Sequence, residues 1–447
     1  LFGHGAGSLR ARHARRERET GQLLVAERYR RGRGRNGAAA GARAALISFF
    51  TGVLLFGRRF VIERKYLVRS FIPFKLKFLL VVLPLLALSC SGCSPTYVFQ
   101  AAYEEGKILW RREPIEEALQ KPDLDPKTRD QFKLVLDVRE YAREQLKFNV
   151  KGSYASYSFV DRANLSYVLM ATPKNDLRPY TWWFLVVGSV PYKGFFSQQD
   201  ALAEAQAFEK NGYDTHIRTS PAFSTLGWFD DPLLAHLLRY DKVTLAEIIF
   251  HELFHNTLYV GGAGDFNESL ANFVGHRAAS LFFRDRYGEK SAEYLRSIDA
   301  WKEALEFSGA VGDMATSLKN LYAKKLPEEE TLRLREEIFA TGQKDWAQRV
   351  KGRPNHRYRG FGKEKINNAV VANYLLYLKD LELFEAVYEA KGKDLAQSVA
   401  AIKESVRGGN PFEDVRTLAK KLNGQGSQIG NSLLKPADSG DVGGGAE

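Results

Sequence analysis

The stretch IIFHELFHNTLYVGGAGDFNESLANFVG, residues 248–275, carries two histidines four residues apart, a glutamate between them and a second glutamate beyond a glycine-rich gap. Residues four apart lie on one face of a helix, so His251 and His255 would present their imidazoles to a common point one turn apart. In an HExxH arrangement two such histidines bind zinc, and the adjacent glutamate, here Glu252, takes a proton from metal-bound water. On a helical wheel His251, Glu252, His255 and Tyr259 occupy about a third of the circumference, while Ile249, Phe250, Leu253, Phe254 and Leu258 cover the rest. The pattern predicts a buried helix with one polar seam.

Zinc hydrolases use a third protein ligand and keep one position for water. GGAG (261–264) reverses the chain after the first helix, and Asp265 or Asn267 is expected to cap the next. Glu268 then falls in the first turn of the second helix. Ala271 and Gly275 follow on its side, small enough to let the two helices approach. Glu268 is thus the expected third ligand, Asp265 its rival, and His276 reads as a packing or surface histidine.

The patterning extends well beyond this stretch. GSVPYKGFF (188–196), AFSTLGWFDDPLL (222–234), HELFHNTLYV (251–260), DFNESLANFV (265–274) and NNAVVANY (367–374) occur in an order and spacing that resemble the putative aminopeptidase family, whose members look like bacterial lipoproteins with a gluzincin-type HExxH site. The resemblance implies an α+β, zincin-like fold, Zn2+ as cofactor, His251, His255 and Glu268 as its ligands, Glu252 as general base, and aminopeptidase action on a peptide or protein substrate. The chain departs from well-studied gluzincins in two ways. Twelve residues separate His255 from Glu268, fewer than in thermolysin-like enzymes. The Gly-x-Met-x-Asn segment that holds a free amino group is absent, the only upstream methionine being Met170 in YVLMATPKN. Peptide-bond hydrolysis is expected, with exo- or endopeptidase action left open.

The formal charge of +12 is unevenly placed. Residues 1–93 hold 18 Lys and Arg against four Glu, a net of +14, which leaves −2 for the rest. A nearly neutral remainder removes the basic balance as an argument for nucleic acid or an acidic substrate. LRARHARRERETG and YRRGRGRNGAAAGARA lack aromatic interleaving, and no methionine precedes Met170, so residues 1–60 are expected to be a translated upstream region or the product of a misplaced start. Residues 61–93 read as a lipoprotein signal: a basic RKYLVRSFIPFKLK, an 11-residue apolar core at 78–88, then SCSGCS. Cys93 is the expected acylation site and Cys90 the alternative; serine follows either, which resembles an outer-membrane sorting signal. The expected location is the bacterial envelope, lipid-anchored and facing the periplasm. These are the only two cysteines, so neither a disulfide framework nor a thiolate zinc site is available downstream.

The remainder reads as one enzyme, residues 94–423, with a β-rich part at about 150–220, a helical part at about 244–422 and a disordered tail at 424–447. PIEEALQ and DPKTRDQFKLVLDVREYAREQLKF read as amphipathic helices, and YSFV, SYVLMA and TWWFLVVGSV as strands. Ser197 should cap QQDALAEAQAFEKN, Gly212 should stop it, and YDTHIRT should be a further strand. Peptide hydrolysis also needs a donor to the tetrahedral oxyanion. Tyr259 is the first choice, with Tyr374, Asn368 and His356 as downstream alternatives. Trp228, Phe229 and Asp230, together with Asn368 and Tyr374, are candidate substrate contacts. The rival reading is a lipid-anchored binding or assembly protein with a structural or degenerate HExxH site. Glu252 argues against it, because a structural zinc gains nothing from a carboxylate beside its ligand.

Overall fold

Strands β1 (Glu113–Pro114) and β2 (Ser156–Ser158) flank helices α1 (Ile115–Leu119) and α2 (Pro126–Glu144). Strands β3 (Ser166–Pro173), β4 (Trp182–Phe184), β5 (Gly188–Val190) and β6 (Lys193–Phe195) follow, then helix α3 (Gln198–Lys210) and strands β7 (Tyr213–Ser220) and β8 (Leu233–Leu234). Everything after that is helical: α4 (Lys242–His255), α5 (Gly264–Tyr287), α6 (Ala292–Ala323), α7 (Glu328–Arg349), α8 (Asn368–Leu378), α9 (Leu381–Ala390), α10 (Leu395–Ser405) and α11 (Pro411–Gln425). This is the expected α+β order. The computed structural model describes residues 103, 106–159, 166–184, 188–220 and 230–425. The basic upstream region, the signal-like run with Cys90 and Cys93, Trp228, Phe229 and the tail from residue 426 lie outside them. Among the described residues no helix is long and apolar enough to cross a membrane.

β3 is the middle strand of a sheet ordered β6-β3-β7, antiparallel to both neighbours. Alternation splits its side chains between two faces. Leu169 and Ala171 pack with Phe195, Trp182 and the small residues Ala201 and Ala205 of α3, and Met170 packs on the other side with Ala372 and Leu376 of α8. In register, Val168 pairs with Arg218 and Met170 with His216. Directly paired residues share a face, so Arg218 is turned toward α8. Ser197 caps α3 through the Asp200 amide, and Gly212, at φ +81°, ends it as expected. TWWFLVVGSV is not one strand: Trp182–Phe184 and Gly188–Val190 pair with each other antiparallel, because Gly188 at φ +73° permits a reversal.

The main core surrounds α4. Asp241 caps it by accepting from the Val243 and Thr244 amides at 3.0 Å, and buried residues then occupy nearly every side of the helix. Phe250 and Phe254 are fully enclosed and meet Tyr141 and Phe148 edge-on. Truncating either phenylalanine should cost about 3–5 kcal/mol. The rigidity this packing lends α4 is what fixes the histidine pair.

Candidate metal centre

α4 and α5 bring three ligand-type side chains together. His251 Nε2 lies 3.2 Å from His255 Nε2 and 3.2 Å from Glu268 Oε2, and His255 Nε2 lies 3.8 Å from Glu268 Oε1. Their ligand atoms all fall within 4.8 Å of one another. Donors about 2.0–2.1 Å from a tetrahedral zinc stand roughly 3.3 Å apart, so two nitrogens and one carboxylate oxygen at these separations fit such an ion. The two rings meet edge-to-face at 4.9 Å. Among the described residues His255 Nδ1 is buried without a hydrogen-bond partner.

The electrostatics separate the two glutamates. Burial would raise Glu268, but His255, His251 and, more weakly, Arg218 outweigh it and hold the carboxyl at about 2, ionised at neutral pH. Burial pushes Glu252 up to about 7; Glu268 and Asp231 add to the rise, while His251 and Arg218 oppose it. Burial likewise pulls His255 down to about 4, which keeps its lone pair free at neutral pH. Burial also lowers His251, but its hydrogen bond with Glu268 and the charge of Glu252 reverse that, so its net shift is upward.

Two features set the spacing. A Cβ on Gly275 would stand 2.8 Å from the Glu247 carbonyl oxygen and 3.3 Å from the His251 Cβ, so only glycine lets α5 lie this close at the level of the first histidine. Asn267 reaches back over the connecting loop, accepting from the Val260 amide and donating to the Val260 carbonyl, both at 2.8 Å. This corrects the expected caps. Ala263 is the N-cap residue of α5, without a side-chain bond, and Glu268 is the fifth helical residue, one turn later than expected. Beneath the pair, buried Glu247 binds His276 Nδ1 at 2.9 Å and Arg357 at 2.8 Å, which accounts for His276 as a packing residue.

The other expected site residues are scattered. Asp265 pairs with Lys379 at 2.7 Å and is not one of the clustered ligand groups. α4 ends at His255, so Tyr259 lies on the following loop and not on the helix face; its ring is still 6.5 Å from that of His255 and it is 39% exposed. Asn149 helps end the helix by bonding the Asn256 carbonyl and the Thr257 hydroxyl. Asp230 accepts from the Gly152 amide at 2.9 Å and braces a loop. Asn368 is fully buried among Asp214, Pro173, Asp176 and Tyr322, and Tyr374 donates to Glu364 within an aromatic cluster around Phe307. His356 is buried against Trp346. None of these three is brought to the histidine pair.

Sequence reasoning missed Tyr377 and Arg218. Tyr377 lies one turn beyond Tyr374 on α8, its ring 6.4 Å from that of His251. Asn272 of α5 binds the Tyr377 carbonyl at 3.1 Å and Ser269 binds that of Leu376 at 3.3 Å, which docks the end of α8 beside the site. Arg218 donates to the Tyr377 hydroxyl and, at 3.1 Å, to Asn373. The signal was available only as an arginine inside a strand and a tyrosine one turn after NNAVVANY (367–374).

A protein-family model described as Putative aminopeptidase matches residues 96–411. No curated protein and no solved structure matches the chain. The match spans the sheet, the histidine helix and every helix through α10, and the chain belongs to the Putative aminopeptidase family.

Proposed function

We propose that residues 94–423 form a zincin-like, zinc-dependent peptidase in which His251, His255 and Glu268 hold the metal. The observation that carries this reading is the convergence of three ligand-type atoms within 4.8 Å beside the half-buried Glu252. A zinc ion held there supplies a Lewis acid for the scissile carbonyl and acidifies a water molecule. Glu252 accepts the proton of the attacking water and passes it to the departing amine. Buried Phe250 and Phe254 hold the helix that carries it, so the base enters already oriented. Tyr259 is the loop donor nearest His255 for the oxyanion. Peptide substrates follow from the family, and removal of an amino-terminal residue from its name. The apolar run at 78–88, followed by SCSGCS with Cys93, supports an acyl anchor in the bacterial envelope, with the peptidase facing the periplasm.

The test is Glu252→Gln in the full chain. We expect zinc content to be retained and hydrolysis of a peptide library to fall roughly 10²–10⁴-fold. Unchanged hydrolysis would remove Glu252 from the mechanism. Zinc bound by a parent chain that cleaves nothing would favour the binding-protein reading.

A further inference from the structure

Two large aromatic side chains stand exposed where the described residues begin, Tyr103 at 66% and Trp110 at 57%. Tyr103 and residues 106–110 are helical. Lys107, one turn beyond Tyr103, holds its ammonium 5.1 Å from that ring, and Trp110 follows three residues later, so the three side chains share a face. A Cβ on Gly106, the neighbour of Trp110 on the helical wheel, would meet nothing within 4 Å, so this side is open. The other side is fastened to the fold. Ile108 is buried, and its carbonyl accepts from the Ser158 hydroxyl of β2 at 2.8 Å.

A single exposed aromatic is ordinary on a protein surface, whereas two on one open face with a cation between them form a pattern. Tryptophan and tyrosine join an apolar ring to one polar atom, which suits the boundary between lipid headgroups and acyl chains. Lys107, with Arg111 one turn further on, suits the phosphates at that boundary. The position in the chain favours lipid over a protein partner. Cys93 stands ten residues before Tyr103, and ten fully extended residues reach at most about 36 Å. With an acyl anchor on Cys93, the aromatic face is held within that distance of the bilayer.

We propose that the face bearing Tyr103, Lys107 and Trp110 rests on the phospholipid surface, with both rings at the level of the headgroups. This inference rests on the anchored reading. Because Ile108 and Ser158 tie the segment to β2, the contact would seat the catalytic body on the membrane instead of leaving it on a free tether.

The test uses the full chain in phosphatidylethanolamine–phosphatidylglycerol vesicles, with and without bromine on the acyl chains near the headgroups. The chain has six tryptophans, so the emission of Trp110 is read as the difference between the parent and Trp110→Phe. We expect bromine to cut that difference roughly twofold or more. Unchanged difference emission in a chain that stays with the vesicles overturns the inference and leaves the anchor standing. A second measurement needs no variant: hydroxyl-radical oxidation of the vesicle-bound parent, read by peptide mass spectrometry, compares Trp110 with Trp183, which is 50% exposed on the β4–β5 hairpin. Trp110 should be oxidised several-fold more slowly, and equal oxidation of the two overturns the inference. Protection of Trp110 without quenching by bromine would place a protein on this face and overturn the lipid assignment. The same spectra report the state of Cys93. An unmodified Cys93 with Trp110 quenched and protected keeps the lipid-facing surface and sinks the anchored reading, whereas an unmodified Cys93 in a chain that leaves the vesicles sinks both.

Discussion

Gly275 presses against Glu247 so closely that an added methyl group would stand 2.8 Å from the Glu247 carbonyl oxygen. That contact sets the distance between the helix carrying His251 and His255 and the helix carrying Glu268. Gly275→Ala should therefore push α5 off α4, destabilise the fold by about 1–3 kcal/mol and weaken zinc binding at the same time. Thermal unfolding and a zinc titration of the variant check this. Unchanged zinc affinity would show that the helices part without disturbing the ligands.

The histidine pair was legible because its information is local: a four-residue spacing inside one apolar helix. Glu268 was legible because Ala271 and Gly275 announced a close helix contact. The details around them were not, and the reasons are tertiary. NTLYV has no breaker before Gly261, so Tyr259 read as helical, yet Asn149, more than a hundred residues upstream, binds the carbonyl and hydroxyl that end α4. Asn267 looked like a cap but spends both amide atoms on Val260. Arg218 and Tyr377 lie 159 residues apart and meet only because β7 and α8 pack together.

Asn267 links the connecting loop to the helix one residue before Glu268. Asn267→Ala removes two hydrogen bonds of a buried amide and takes the acceptor from the Val260 amide, while the Val260 carbonyl keeps its bond from the Ala263 amide, a loss of about 1–3 kcal/mol. Zinc affinity should fall without disappearing, since Glu268 itself remains. Chemical denaturation and competition with a chelator measure the two effects separately; a drop in stability with no change in affinity would detach the loop from the metal site.

Glu247 gives the fold an acid-sensitive element. Burial alone would raise its carboxyl, but His276 and Arg357 lower it from 4.5 to about 2. A folded-state value below the unfolded one contributes stability above about pH 4.5 and loses it as pH falls toward about 2. The stability gap between the parent chain and Glu247→Gln should be on the order of a few kcal/mol near neutrality and close up across that window. Urea unfolding at a series of pH values measures the gap, and a gap independent of pH would exclude the ion network as its source.

Glu268, and not Asp265, is expected to complete the metal site. Glu268 lies 3.2 Å from His251, whereas Asp265 is engaged by Lys379 at 2.7 Å. The direct measurement is the zinc content of the purified parent chain, Asp265→Ala and Glu268→Ala after equilibration with the ion and removal of excess. About one zinc per chain is expected in the parent and in Asp265→Ala, and little in Glu268→Ala, which would keep only His251 and His255 as protein ligands. Full zinc in Glu268→Ala together with its loss from Asp265→Ala would contradict it.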